Sequence, residues 1–183
     1  GALMSMIGFS KLNEISHKNN PDPGYILEKL DEGVREALST KRYDHESKDG
    51  MDMALCSFDL KNKKVQYSGA FRPLIKINGE NIEETKGNRY PIGGGSSYIK
   101  NGFTTHEFDI NEGDCFYMFS DGFPDQFGGP KDKKFMNKKF KALLQEIQSL
   151  SPKEQMFRLD TELQNWRGET EQVDDILVIG VCF

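Results

Sequence analysis

The spacing of apolar residues changes along the chain, and these changes constrain the fold more than any other feature of the sequence. Apolar residues recur at helical spacing in residues 2–16 and again from Pro23 to about Thr40. Short apolar segments separated by turn signals then fill residues 51–120. Helical spacing returns between Phe140 and Trp166, and a strand-like run ends the chain. The predicted order is helix, helix, several strands, helix, helix, strand.

Strands that follow one another without intervening helices favour the α+β class, with helices packed on antiparallel sheets. Five strands are predicted in the middle of the chain, at residues 51–58, 65–70, 74–77, 104–108 and 115–120, and a last one at 176–183. The strand at 115–120 is apolar on both faces, which is typical of a strand buried on both sides. Ser151 and Glu154 form a capping box that predicts the start of the last helix.

Composition excludes several classes of protein. The 183 residues suggest one domain, and the net charge of −5 argues against a nucleic-acid binder with a basic surface. No apolar run approaches the roughly 20 residues that span a bilayer, and no secretory segment opens the chain. The three cysteines, Cys56, Cys115 and Cys182, form no CxxC motif. We therefore expect reduced core cysteines in a cytoplasmic protein without membrane contact.

Two carboxylate motifs stand at the ends of predicted strands. Asp121 follows a buried strand, and Gly122 after it would let the backbone turn sharply. Asp174 and Asp175 precede the last strand. Carboxylates at strand ends are held by rigid elements, and hard cations such as Mg²⁺ and Mn²⁺ prefer oxygen ligands. Taken singly, each motif is more often a solvated turn than a metal site.

Six short motifs follow one another along the chain, at residues 1–8, 49–56, 67–74, 91–94, 113–129 and 172–178. The most specific contains Gly113-Asp114, Phe119-Ser120-Asp121-Gly122-Phe123 and Asp125-Gln126-Phe127-Gly128-Gly129. In this order the motifs resemble the SpoIIE-like branch of the metal-dependent protein phosphatases, the protein phosphatase 2C (PPM) superfamily. Since the match covers nearly the whole chain, residues 1–183 are expected to form a single SpoIIE-like phosphatase domain.

The resemblance implies an antiparallel β-sandwich of two sheets flanked by helices. It also implies hydrolysis of phosphoserine or phosphothreonine by a water that two Mn²⁺ or Mg²⁺ ions activate. By the same resemblance Asp121 and Asp174 are metal ligands, and Gly122 and Asp175 support them. Arg72 is a candidate substrate contact, for which a structural salt bridge is the open alternative.

The family also has an upstream Asp and an Asp-x-x-Gly-His-Gly segment before its first helix. No Asp precedes Asp22 in this chain. We therefore expect an incomplete domain that lacks its first strands and holds about half of a metal site, with weak or absent ion binding and activity. An uncovered sheet edge or apolar face is expected to cause self-association.

The resemblance further implies the output domain of a bacterial signalling protein. Its substrate would be a phosphorylated regulatory protein of the anti-sigma-factor antagonist type. The alternative function is a non-catalytic module that binds a phosphoprotein through a degenerate phosphatase fold.

Two smaller features also have two interpretations. Asp52 is either an outward-facing residue or an auxiliary ligand, and the lysine-rich run at 131–141 is either a solvated face or a patch that steers an acidic partner toward Asp121.

Overall fold

The computed structural model describes residues 2–16, 22–39, 50–94 and 102–183. The chain divides into two compact units, each built from two stretches of sequence. The first unit comprises Gly1–Leu74 and Lys86–Ile110, and the second comprises Ile75–Thr85 and Asn111–Phe183. Both contain antiparallel sheets and helices, which confirms the predicted α+β class. The assignment of residues 1–183 to a single domain stays a prediction.

The described residues form five helices and nine strands. The helices are α1 (Ala2–Ser16), α2 (Pro23–Ser39), α3 (Gly122–Asp125), α4 (Asn137–Ile147) and α5 (Pro152–Arg167). The strands are β1 (Met53–Asp59), β2 (Lys64–Ala70), β3 (Leu74–Asn78), β4 (Asn81–Thr85), β5 (His106–Asp109), β6 (Cys115–Phe119), β7 (Phe127–Gly128), β8 (Lys133–Lys134) and β9 (Val178–Cys182). None of the described helices is long and apolar enough to cross a membrane.

The first unit packs α2 against an antiparallel sheet with the strand order β1-β2-β5. Its core is formed by apolar side chains that are almost completely buried: Ile15, Leu27, Leu30, Val34, Ala70, Ile92 and Phe103. One buried carboxylate, that of Asp31, lies beside this core. Asp31 of α2 is paired with Arg35 at 2.7 Å and accepts a hydrogen bond of 2.7 Å from the backbone N–H of Gly93. Asp31 therefore connects α2 to the motif at residues 91–94.

The second unit contains a four-stranded antiparallel sheet with the order β4-β3-β6-β9. The central strand β6 is nearly all buried, which confirms the expectation from its apolar sequence. Side chains of this sheet form one core with α3, α4 and the segment before α4: Ile75, Ile77, Cys115, Tyr117, Phe119, Phe123, Phe135, Phe140, Leu143, Leu144 and Ile147. The capping box of α5 is also confirmed, because Ser151 and Glu154 exchange side-chain-to-backbone hydrogen bonds.

The sequence patterns did not predict four elements: β4, the short strands β7 and β8, and α3. The strand β4 reads Asn-Ile-Glu-Glu-Thr and is mostly exposed at a sheet edge, so it lacks the apolar alternation that marks a half-buried strand. The last strand also begins later than predicted, at Val178 instead of Ile176. Leu177, directly before this strand, donates its backbone N–H to the side chain of Ser120.

The prediction of reduced core cysteines is wrong for two of the three. A disulfide joins Cys115 of β6 to Cys182 of β9, across 67 residues of sequence. The two residues stand opposite each other in the register of these adjacent strands. Cys56 is free and half-buried, and burial raises the pKa of its thiol to about 12, so Cys56 remains a protonated thiol at neutral pH.

Asp114 is a buried carboxylate at the start of β6 that connects three parts of the second unit. It forms a salt bridge of 2.9 Å with Lys76 and accepts hydrogen bonds of 2.8 Å from the Asn78 side chain and the Asn111 backbone. Burial alone would raise the pKa of Asp114, but these bonds outweigh it, and the pKa is lowered from its ordinary value. The charged form of Asp114 therefore stabilises the folded state.

We predict that Asp114→Asn lowers the free energy of unfolding at pH 7 by about 3 kcal/mol, because Lys76 loses its buried partner. Since the folded-state pKa is lowered, this stabilisation is complete above the unfolded pKa of about 4 and is lost as the pH falls through the folded pKa. The difference between the two proteins should therefore shrink in acid. Urea unfolding at several pH values measures it. The exposed neighbour Glu112→Gln should change stability by less than about 0.5 kcal/mol, and an equal effect of both substitutions would contradict the assignment.

Candidate metal centre

The two segments that carry the carboxylates singled out in the sequence lie next to each other, where β6 ends and β9 begins. β6 and β9 are antiparallel neighbours, and Phe119 at the end of β6 stands opposite Val178 at the start of β9. Asp121 follows β6, whereas Asp174 and Asp175 precede β9. Antiparallel pairing brings the end of one strand to the start of the other, so the two motifs are neighbours in space although they are far apart in sequence.

Ser120 holds the two segments together. Its backbone N–H donates to the carbonyl of Leu177 at 2.9 Å, and its hydroxyl oxygen accepts from the N–H of Leu177 at 2.9 Å. The hydroxyl also donates to the carbonyl of Asp175 at 2.8 Å. The residue directly before Asp121 therefore fixes the backbone directly after Asp174. The sequence analysis gave Ser120 no role, although the Ser-Asp-Gly motif contains it.

Gly122 provides space and not the sharp turn expected from the sequence. It is the first residue of α3, is buried, and does not adopt a positive φ. A Cβ at this position would overlap the carbonyl oxygen of Asp175 and would lie 2.9 Å from Cγ1 of Ile176. Because glycine lacks that atom, the backbone before β9 can approach the start of α3 closely.

The three aspartates differ in their surroundings. Asp121 is half-buried before α3, and its carbonyl accepts a hydrogen bond of 2.8 Å from the N–H of Asp125. Asp174 and Asp175 are exposed. A carboxylate oxygen of Asp174 accepts from the N–H of Asp175 at 2.7 Å, and the Gln172 side chain donates to the Asp174 carbonyl at 2.8 Å. These bonds order the segment that carries Asp174 and leave the carboxylates open to solvent.

The donor chemistry of this edge fits a hard divalent cation, but the number of donors is small. Carboxylate oxygens are the ligands that Mg²⁺ and Mn²⁺ prefer. Across the described ranges, however, no group of three or more His, Cys, Asp or Glu side chains lies close enough to hold a metal ion. Asp121, Asp174 and Asp175 thus do not form such a group, and their role as metal ligands stays a prediction.

Arg72 and Asp52, both in the first unit, form an ion pair with each other. Their side chains are 2.9 Å apart, and each is partly exposed. This ion pair is the structural alternative that the sequence left open for Arg72. Asp52 thus has a partner other than a metal ion, and contact between Arg72 and a substrate stays a prediction.

The lysine-rich run is divided between structural and solvent-exposed residues. Lys134 forms a salt bridge with Asp125 at 2.9 Å, Lys141 pairs with Glu84 at 2.9 Å, and the ammonium of Lys139 lies 3.7 Å from the ring centroid of Trp166. The other members, Lys131, Lys133 and Lys138, are exposed. Three lysines of the run therefore have contact partners in the second unit, and steering of an acidic partner stays a prediction.

Comparison with solved structures identifies the class of this fold. The SiaA-PP2C domain of Pseudomonas aeruginosa is 29% identical, with a TM-score of 0.87, and the match covers 100% of this chain and 70% of that one. The PP2C phosphatase domain of SpoIIE from Bacillus subtilis, solved with a fragment of its regulatory domain, is 17% identical with a TM-score of 0.70, over 94% of this chain and 48% of that one. The catalytic domain of the serine/threonine phosphatase PstP, solved with two manganese ions, is 13% identical with a TM-score of 0.65. That match covers 98% of this chain and 80% of the PstP chain. The fold is that of PP2C-type (PPM) phosphatase domains.

Sequence comparison then gives the family. The family model for Stage II sporulation protein E (SpoIIE) matches residues 1–183, and this chain belongs to the SpoIIE family. No curated protein matches the chain significantly. The resemblance stated from the sequence motifs is therefore confirmed at the level of family and fold.

We predict that Gly122→Ala lowers the free energy of unfolding by about 2 kcal/mol, because the added methyl group overlaps the backbone before β9. The amide NMR signals of residues 174–177 should shift with it. Gly79→Ala is the control, because a Cβ at Gly79 would contact no neighbouring atom and only the positive φ disfavours alanine there. It should cost about 1 kcal/mol and leave those signals in place. A neutral Gly122→Ala variant with unshifted signals would rule out the close approach.

Proposed function

We propose that this domain is a metal-dependent phosphatase that removes phosphate from serine or threonine in a regulatory protein of a bacterial signalling pathway. The observation that carries the proposal is the Ser120 bridge, which joins the Asp121 and Asp174 segments at one sheet edge in a chain of the SpoIIE family. PstP, whose structure holds manganese, is a serine/threonine phosphatase with the same fold, and this supports the reaction class.

Asp121 and Asp174 would hold a Mn²⁺ or Mg²⁺ ion. When bound, such an ion lowers the pKa of a coordinated water and neutralises negative charge on the phosphoryl oxygens. Asp175, exposed beside Asp174, would accept a hydrogen bond from a water at the ion. Ser120 keeps the Asp174 segment in place, and Gly122 admits that segment to the start of α3.

The proposed substrate is a phosphorylated regulatory protein of the anti-sigma-factor antagonist type, and the proposed location is the cytoplasm. Both proposals come from the family resemblance. The exposed carboxylates agree with a large substrate, because the phosphate of a folded protein can reach an ion only at an open surface. Lys131, Lys133 and Lys138 in the same unit would attract the acidic surroundings of such a phosphate.

The second candidate function is a non-catalytic module that binds a phosphoprotein. One observation favours it: the described residues do not assemble three metal-ligating side chains. We therefore expect residues 1–183 alone to hydrolyse phosphate esters slowly or not at all. The full product of the gene has to be assayed beside residues 1–183 to separate the two functions.

We predict that the full gene product releases phosphate from a phosphoserine peptide only when Mn²⁺ or Mg²⁺ is added. Asp121→Asn and Asp174→Asn should each lower kcat/KM at least a hundredfold, about 2.7 kcal/mol in transition-state energy, because the carboxylates that hold the ion lose charge. Malachite-green detection of phosphate measures the rate.

Glu112→Gln is the matched control, since Glu112 is exposed and precedes β6, at the end of that strand opposite Asp121, and its loss should leave the rate unchanged. Metal-dependent turnover that survives both site substitutions would exclude this site. Binding of the phosphopeptide without turnover, under all metal conditions, would favour the non-catalytic module instead.

A further inference from the structure

Gln126 is a completely buried polar residue of the second unit that follows α3 directly. Its side-chain Nε2 donates to the carbonyl of Glu171 at 2.9 Å and to the carbonyl of Phe127 at 3.0 Å. The bond to Glu171 crosses from the segment after Asp121 to the segment before Asp174. The buried amide therefore connects the two parts of the chain that carry the candidate metal ligands.

This bond is a second link between the two segments. At one end they are joined by the Ser120 bridge, and at the other end by the bond from Gln126 to Glu171. Asp121 lies between Ser120 and Gln126 in the chain, and Asp174 lies between Glu171 and the residues that Ser120 holds. Both aspartates are therefore on short stretches of backbone that are held at both ends.

The backbone of Gln126 is itself fixed in place. Its N–H donates to the carbonyl of Phe123 at 3.3 Å. Its carbonyl accepts from the N–H of Phe135 at 2.9 Å and from Nε1 of Trp166 at 3.0 Å. Because α3, the segment after β8 and α5 all bond to Gln126, its side chain offers a fixed anchor to the backbone at Glu171.

Packing alone does not explain a glutamine at this position. Within the described part of the chain, Oε1 of Gln126 is buried without a hydrogen-bond partner. A buried acceptor without a partner costs free energy, whereas a methionine would fill a similar space with no such group. The feature that only the amide supplies is its pair of donor bonds, and one of them holds Glu171.

We propose that Gln126 is a positioning residue of the candidate ion site, which holds the Asp174 segment at a fixed place beside the Asp121 segment. This inference rests on the proposed function, in which both aspartates hold the ion. Ion ligands have to be kept within about 0.5 Å of their working geometry. Without the Gln126 bond, the Asp174 segment would keep its Ser120 bonds and lose its anchor at Glu171.

The first test measures order in the ion-free protein. Gln126→Met removes the donor and keeps the size of the side chain. Gln155→Met is the matched control, because Gln155 is buried in the same unit and its Nε2 donates to the carbonyls of Gln148 and Leu150, outside both segments. In the ¹⁵N-labelled chain, Gln126→Met should lower the heteronuclear NOE of residues 172–174, since these amides become mobile on the nanosecond timescale. Gln155→Met should leave it unchanged.

An unchanged NOE in Gln126→Met, or an equal fall in both variants, would overturn the inference without reference to any ion. If Gln126→Met does not fold, Gln126→Asn replaces it, because the asparagine amide is one methylene shorter and would not reach Glu171. The same fall at residues 172–174 is expected.

The second test measures Mn²⁺ affinity in the full gene product, by electron paramagnetic resonance of the free ion. The site is defined as the binding that Asp121→Asn abolishes. Gln126→Met should raise the Kd of this site about tenfold or more, as the loss of a group that supports a metal ligand does, and Gln155→Met should not. If the unsubstituted protein binds Mn²⁺ here and Gln126→Met binds it equally well, the inference alone is overturned. If the unsubstituted protein has no such site, the proposed function fails and the inference fails with it.

Discussion

The pairing of β6 with β9 is the constraint on which the candidate site depends. A slip of one residue in this register would turn the side chains of β9 to the opposite face of the sheet and remove the Ser120 bonds to Leu177 and Asp175. The register therefore decides whether the Asp121 and Asp174 segments are neighbours. Gly122 makes the same pairing sterically possible, because no other residue leaves room for the Asp175 carbonyl.

Both ends of this strand pair are fixed. At the end away from the aspartates, the disulfide between Cys115 and Cys182 links the strands covalently, and the charged Asp114 anchors the start of β6 to Lys76 of β3. At the other end, Ser120 bonds to the backbone before β9. The buried strand is therefore rigid, whereas the carboxylates stand on the segments that leave it. Rigid support of this kind is what the proposed ion site would need.

Sequence reasoning predicted the parts of the molecule that depend on local pattern. Helical spacing located α2, α4 and α5, and apolar runs located the central strands, because burial imposes a period on such segments. β4 was missed, since an exposed edge strand needs no apolar face. The disulfide was also missed, because the opposition of Cys115 and Cys182 arises only from strand pairing across 67 residues. Asp121 and Asp174 are ligand candidates from the family motifs, and that assignment stays a prediction. The role of Ser120 and the space that Gly122 provides follow from the backbone geometry alone.

The central claim is that Asp121 and Asp174 bind a divalent cation at the edge where β6 ends and β9 begins. The most direct measurement is a Mn²⁺ titration of the ¹⁵N-labelled protein, in which the paramagnetic ion broadens the signals of nearby amides even when it binds weakly. The account predicts that the signals of residues 120–122 and 174–176 broaden first and that the double substitution Asp121→Asn with Asp174→Asn abolishes this effect. Broadening that begins at another acidic surface, such as Glu83 and Glu84, or that persists at this edge in the double variant, would contradict it.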